Sequence, residues 1–246
     1  MIKLKNVFIA NREKIDSFGV ATPYEISYFS NVSYPKILRF CQKKLHATSR
    51  ELAIKDYYLD TPQYSLHKNN SSLRIRLFLT NQQKPLTIIH IKGNEDLLNY
   101  TQHLNLRRDL IYVQEFKKKS DQDLKNLINE YRKRGFYNFY TLKKTCSIYD
   151  LIPRTPMEAK NNQQLLLKTN FKVPWKYQNM GLRIQIEKIS QPISHYKKII
   201  EIEFDETYQK KGNSLRYLFE KQYGKALINK PFHKVNFVLN NKIHMS

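Results

Sequence analysis

The stretch from Lys55 to Arg76, KDYYLDTPQYSLHKNNSSLRIR, constrains the fold of this chain more than any other. It reads as a strand over 56–59, a turn opened by Asp60-Thr61-Pro62, a second turn across Lys68-Asn69-Asn70-Ser71-Ser72, and a strand carrying Arg74 and Arg76. Side chains two apart on a strand share a face, so Arg74 and Arg76 project together while Leu73, Ile75 and Leu77 line the other side. Two neighbouring guanidiniums repel unless something anionic lies between them, and their planar fork matches phosphate oxygens. A polyanion gripped by a sheet is therefore the first functional expectation.

The same period-two alternation recurs over 24–29, 54–59, 73–79, 86–92, 104–112, 140–149, 182–189 and 198–204, which predicts strands there. Strands in that number, separated by turns, point to a barrel or a curled antiparallel sheet. Three helices are expected between them. The first, 33–45, places Ile37, Leu38, Cys41 and Leu45 at helical spacing, and the second, 120–134, opens on Ser120 with Asp121 and Asp123 in its first turn. The third, 214–223, carries Leu215, Leu218 and Phe219. The whole chain, 1–246, reads as a single domain, with a loop insertion at 153–178 where three prolines and an Asn-Asn-Gln-Gln run interrupt the pattern.

Lys and Arg number 43 against 21 Asp and Glu, a formal net charge of +22. So large an excess predicts an anionic partner: nucleic acid, a phosphorylated small molecule or a membrane surface. A solvated basic surface from a Lys- and Asn-rich composition is the plain alternative. Cys41 and Cys146 have no motif spacing, so neither a disulfide scaffold nor a zinc site is implied. No run approaches the roughly 20 apolar residues of a membrane span. The first residues lack a signal peptide's apolar core, so a cytoplasmic protein is expected.

Charge at period two marks further strands. His90 and Lys92 share a face, as do Arg107 and Asp109, and Lys144 and Cys146. The sign then reverses: Gln185 with Glu187, and Glu201 with Glu203, the last pair interleaved with Ile200, Ile202 and Phe204. Basic and acidic strands in one barrel suggest a shared site, where cations hold phosphate oxygens and hard carboxylate oxygens hold Mg²⁺ or Mn²⁺.

The order YYLDTPQYSLHKNNSSLRIR, HIKG, LRRD, KKTCSIY and IEIEF resembles the CYTH, or triphosphate tunnel metalloenzyme, superfamily, whose pattern runs Y-x-D-T-P…L-R-I-R, T-x-K-G, R-x-E, K-x-R, an acidic strand and E-x-E. The resemblance spans about residues 24–229, and its specific part is the DTP…LRIR block. It implies an α+β fold: an eight-stranded antiparallel β-barrel forming a triphosphate tunnel, with peripheral helices. It also implies Arg74, Arg76, Lys92, Arg107 and Lys144 as substrate ligands, and Glu25, Glu187, Glu201 and Glu203 as ligands for Mg²⁺ or Mn²⁺. Glu201, Glu203 and Lys92 would be the catalytic groups.

The chain departs from the family's E-x-E-x-K signature. Glu25 is kept, while Ser27 and Phe29 stand at the second Glu and the Lys, and Cys146 stands at the Arg of K-x-R. Glu51, Asp56 and Glu158 are candidate replacement acids. The expected activity is a metal-dependent triphosphatase acting on tripolyphosphate, a nucleoside triphosphate, thiamine triphosphate or an RNA 5′-triphosphate end. The alternatives are a catalytically impaired tunnel that binds polyphosphate, nucleotide or RNA, and an adenylate cyclase. A second expectation follows from the charge surplus. Helix 120–134 is bracketed by Lys117-Lys118-Lys119 and Arg132-Lys133-Arg134, a basic rim for weak, salt-sensitive binding of RNA or another polyanion.

Overall fold

The computed structural model describes residues 17–21, 24–47, 49–68, 71–79, 86–93, 99–101, 106–108, 110–116, 121–152, 181–193, 196–204 and 206–229. In chain order the elements are β1 (Ser17–Ala21), β2 (Tyr24–Ser30), α1 (Tyr34–Leu45), β3 (Arg50–Asp60), α2 (Ser65–Lys68), β4 (Ser72–Leu79), β5 (Leu86–Gly93), β6 (Asn99–Thr101), β7 (Leu106–Arg108), β8 (Leu110–Phe116), α3 (Asp121–Lys133), β9 (Tyr137–Ile152), β10 (Leu182–Ile193), β11 (Tyr196–Phe204), α4 (Gln209–Tyr223) and β12 (Leu227–Asn229). The expected insertion at 153–178 lies outside the described residues, as do Asp109 and Glu158.

All strands join one antiparallel sheet in the order β1-β8-β5-β4-β3-β9-β10-β11-β2-β7-β6, with β12 beside β2. The order is cyclic in effect. β7 and β8 adjoin in sequence, β7 pairs with β2 while β8 pairs with β5, and β1, which adjoins β2, pairs with β8. Counting each adjoining pair as one strand gives a ring of eight, the expected architecture, with the short strands β6 and β12 added beside β7 and β2. A ring leaves no long unpaired edge.

Period-two alternation then sorts side chains to the inside or outside of the ring. Ile26, Tyr28, Ile184, Ile186, Ile200, Ile202 and Phe204 point out, packing under Ile37 and Cys41 of α1 and Leu215, Phe219 and Tyr223 of α4. On the opposite side Leu73, Ile75, Leu77, Ile89 and Ile91 pack under Leu124, Leu127 and Tyr131 of α3. Helix ends follow the sequence: α3 has Asp121 and Asp123 in its first turn and Arg132 and Lys133 in its last, and Gly135 follows at φ 86.

Two expectations need correction. The third helix starts at Gln209, not at residue 214, because Gly212 lets it cross Phe204; a Cβ there would stand 2.3 Å from the ring. After the opening turn, the chain forms the short helix α2 over Ser65–Lys68. Asp60 is buried, and its carboxylate accepts hydrogen bonds from the backbone N–H groups of Thr61 (2.7 Å), Leu66 (2.9 Å) and His67 (3.0 Å). Thr61 Oγ1 accepts from Ser65 N at 3.0 Å. The Asp-Thr-Pro signature thus ties the β3–β4 connection to the barrel wall and delivers Arg74 and Arg76 in register.

Candidate functional site: the charged interior of the ring

The inward positions of β3, β4 and β9 form a cationic wall around one acid. Asp56 lies opposite Arg76 in the β3–β4 ladder, and Arg76 donates to both its oxygens, Nε to Oδ1 and Nη2 to Oδ2, each at 2.7 Å. Arg74 Nη1 stands 3.8 Å and Lys144 Nζ 3.6 Å from Asp56 Oδ2. Burial alone would raise the Asp56 pKa, but Arg76, Arg74 and Lys144 outweigh it and hold the carboxyl well below the usual range. Burial likewise works against the charged form of Arg76, and the Asp56 charge more than offsets it. Arg74 also donates to His90 Nδ1 at 2.7 Å.

The acidic wall comes from β2, β10 and β11. Glu203 lies opposite Glu25, and Glu201 opposite Ser27. Ser27 Oγ donates to Glu25. Gln185 Nε2 donates to Glu187 Oε1 and to Glu201 Oε2, both at 2.7 Å, and so ties β10 to β11. Lys144 crosses between the walls, donating to Glu187 Oε1 at 2.5 Å. The expected phosphate ligand Lys144 and the expected metal ligand Glu187 are therefore partners of each other.

Of the expected residues, the structure brings Glu25, Arg74, Arg76, Lys144, Glu187, Glu201 and Glu203 into this interior. Lys92 and Arg107 are placed by backbone register, opposite Ser72 and Glu25. Asp56, considered earlier as a replacement acid, is the cations' counter-ion, and Glu51 is exposed on the outer face. Sequence reasoning missed Arg183. It is fully buried, donates to Asp150 Oδ1 at 2.7 Å, and has Nη1 4.0 Å from Glu203 Oε2. The signal was present, since Arg183 shares the alternation that linked Gln185 to Glu187.

One layer further along the same strands the interior turns apolar. Phe29, Tyr58, Leu142, Ile189 and Ile199 pack together, with Tyr64, Phe139 and Tyr140 against them. Phe29, at the place of the signature lysine, belongs to this packed layer.

The carboxylates suit a hard divalent cation in donor type, and Glu25, Glu201 and Glu203 share one face of two paired strands. Among the described residues no three acid, histidine or cysteine side chains converge closely enough to hold a metal unaided. The fit is to an ion such as Mg²⁺, which takes one or two carboxylates and completes its shell with water and substrate phosphate.

A closed antiparallel ring with opposed basic and acidic walls inside is a tunnel-fold protein. A family model described as the CYTH domain matches residues 29–217, and the chain belongs to that family. Family membership implies divalent-metal dependence and triphosphate substrates. Three solved structures share the fold. A Pyrococcus horikoshii protein matches at 15% identity and TM-score 0.56, over 91% of this chain and 99% of its own. A putative adenylate cyclase from Vibrio parahaemolyticus matches at 15% and 0.52, over 90% and 98%. A putative adenylyl cyclase from Hippeastrum, described as having a dominant triphosphatase activity, matches at 14% and 0.53, over 89% and 96%. No curated protein matches. No helix among the described residues is long and apolar enough to cross a membrane.

Proposed function

We propose that this protein hydrolyses the terminal phosphate of a triphosphate-containing substrate held inside the ring. The observation that carries the reading is the opposition of Arg74 and Arg76 to Glu25, Glu201 and Glu203 within one closed barrel. Arg74 is the natural first contact for a phosphate. Its side chain is 11% exposed, against 2% for Arg76 and 0% for Lys144. Arg76 and Lys144 act behind it, holding Asp56 and Glu187, while Lys92 and Arg107 extend the basic set. Glu201 and Glu203, with Glu25 opposite, would hold Mg²⁺ or Mn²⁺, which would supply Lewis-acid stabilisation of the phosphate charge. Glu201 and Glu203 also orient the water that attacks the terminal phosphorus in line, and Lys92 offsets the charge that builds on the transferred group. Positioning and preorganised charge account for most of such a rate gain.

The test is phosphate release from tripolyphosphate, ATP, thiamine triphosphate and triphosphorylated RNA, with and without Mn²⁺. Hydrolysis should require the metal and fall by about 100-fold or more in Glu201→Gln and Lys92→Ala. Metal-independent hydrolysis, or none on any substrate, sinks the reading. Cyclic AMP and pyrophosphate appearing from ATP would assign a cyclase instead.

A second reading, binding without turnover, draws on Ser27 and Phe29. The first leaves Glu25 hydrogen-bonded to a hydroxyl, and the second places a phenyl ring where the family signature has an ammonium. Calorimetry would then give tight tripolyphosphate binding with no phosphate released. The double change Ser27→Glu with Phe29→Lys should raise turnover, and an unchanged rate would remove the motif's loss as the cause.

A further inference from the structure

The net charge of +22 is not explained by the ring's interior. There Arg74, Arg76, Lys144 and Arg183, with Lys92 and Arg107 placed by register, are nearly balanced by Glu25, Asp56, Glu187, Glu201 and Glu203. Among the described residues, the helices that cover the barrel carry charge unequally. α3, on the side where the sequence pointed to a basic rim, carries Lys125, Arg132 and Lys133 against Asp121, Asp123 and Glu130, and is balanced. Lys117, Lys118 and Lys119 lie outside the described residues. α1 and α4 are different. α1 has no acid at all, and α4 has only Glu220, which accepts from the Tyr28 hydroxyl at 2.7 Å and lies 3.8 Å from Arg216.

These two helices form one surface. Phe40 of α1 packs edge-on against Phe219 (5.1 Å) and Tyr223 (5.5 Å) of α4, and Tyr223 Oη donates to the Lys36 carbonyl at 3.4 Å. Both bury their apolar stripes in the same core over β2, β10 and β11. On α1 the residues opposite Ile37 and Cys41 are Lys36, Arg39 and Lys43, an i, i+3, i+7 stripe, all exposed. On α4 the residues opposite Leu215 and Phe219 are Lys210, Tyr217 and Lys221, with Tyr217 62% exposed between two exposed lysines.

We propose that this paired-helix face binds single-stranded nucleic acid, separately from the tunnel. Two cationic stripes suit a phosphate backbone, and an exposed ring between lysines offers an unpaired base a stacking surface. An anionic membrane fits less well. A helix lying on a membrane needs a broad apolar face to insert, and here that face is buried in the core.

The experiment is fluorescence anisotropy with a labelled 5′-hydroxyl oligonucleotide of about 20 nucleotides, as RNA and as DNA, over increasing salt. Lacking a triphosphate, the probe does not report the tunnel's terminal-phosphate site, and tripolyphosphate at a concentration that saturates the tunnel should displace it no more than other salt of equal ionic strength. Changing Lys36, Arg39 and Lys43 together to Glu should weaken binding at low salt about tenfold or more. It should also reduce the slope of log K against log salt by about 2, at about 0.7 per phosphate contact. Tyr217→Ala should weaken binding several-fold without changing that slope. Circular dichroism and tripolyphosphate hydrolysis should be unchanged in all these variants, so failure here is distinguishable from failure of the tunnel reading. RNA and DNA bound alike would place recognition in phosphate and base stacking, and RNA bound preferentially would add the 2′-hydroxyl; both support the proposal. It is overturned by no binding at low salt, by binding that survives the triple change, by binding lost only in Arg74→Ala, by preference for duplex DNA, or by capture on phosphatidylserine vesicles without binding of either single strand.

Discussion

Within the ring, one step of two residues along five of its strands separates a polar, mostly charged layer from an apolar one. Ser27 gives way to Phe29, Asp56 to Tyr58, Lys144 to Leu142, Glu187 to Ile189 and Glu201 to Ile199. All ten side chains point inward, so the in–out alternation is the same in both layers and only its chemical content changes with depth. The charged layer is held by directed contacts, since each buried ion needs a partner to offset its desolvation. The apolar layer is held by area and shape, and by excluding water it strengthens the fields next door. A tunnel wall is thus graded along its axis, with Phe29 marking the step on β2.

The sharpest way to break this comparison is to remove one anion. Asp56→Asn leaves Arg76 facing a neutral amide in full burial, and should cost about 3–5 kcal/mol of stability in a urea melt. A loss below about 1 kcal/mol would mean the cations do not depend on it. Leu142→Ala in the apolar layer should cost about 3 kcal/mol through a cavity, and tripolyphosphate binding should persist wherever the variant is folded.

Acid separates the layers further. A carboxyl with a depressed folded pKa contributes its full stability above its ordinary value, 3.8 for Asp56, and that contribution is lost as pH falls from there through the folded value. The stability gap between wild type and Asp56→Asn should therefore narrow below about pH 4, while the gap to Leu142→Ala stays flat with pH. Parallel pH curves for both variants would dissolve the distinction. The smallest effect expected is Ser27→Ala, which removes the hydroxyl donor to Glu25 and should cost about 1 kcal/mol by thermal melting.

The polar half of this comparison was more legible in the sequence than the apolar half. Arg74 with Arg76, Lys144, Glu187, and Glu201 with Glu203 were all found by spacing, because period two is a local property of an extended backbone. Arg183 obeys the same rule. The apolar layer leaves no such local mark. Phe29, Leu142, Ile189 and Ile199 come from four different strands, and each alone looks like an ordinary strand residue.

The helices divide the same way. Their apolar stripes were predicted except at Leu218, which is 42% exposed while Tyr223 takes a place in the core, and the start of α4 was not, because it depends on Gly212 meeting Phe204. Nor did the chain order show that α1 and α4, far apart in sequence, form one basic face while α3 is balanced.

By itself the sequence determined the strands, the faces their side chains share, the helices' buried stripes and the Asp-Thr-Pro connection. Each of these depends on geometry repeated over a few residues. The tertiary structure alone decided which charges meet. Asp56 with Arg76 follows from strand register, and Lys144 with Glu187 and Gln185 with Glu201 follow from the neighbours that β9, β10 and β11 acquire in the ring. An ion's partner depends on distance and burial, and both are set only when the strands pair in register and close around a common interior.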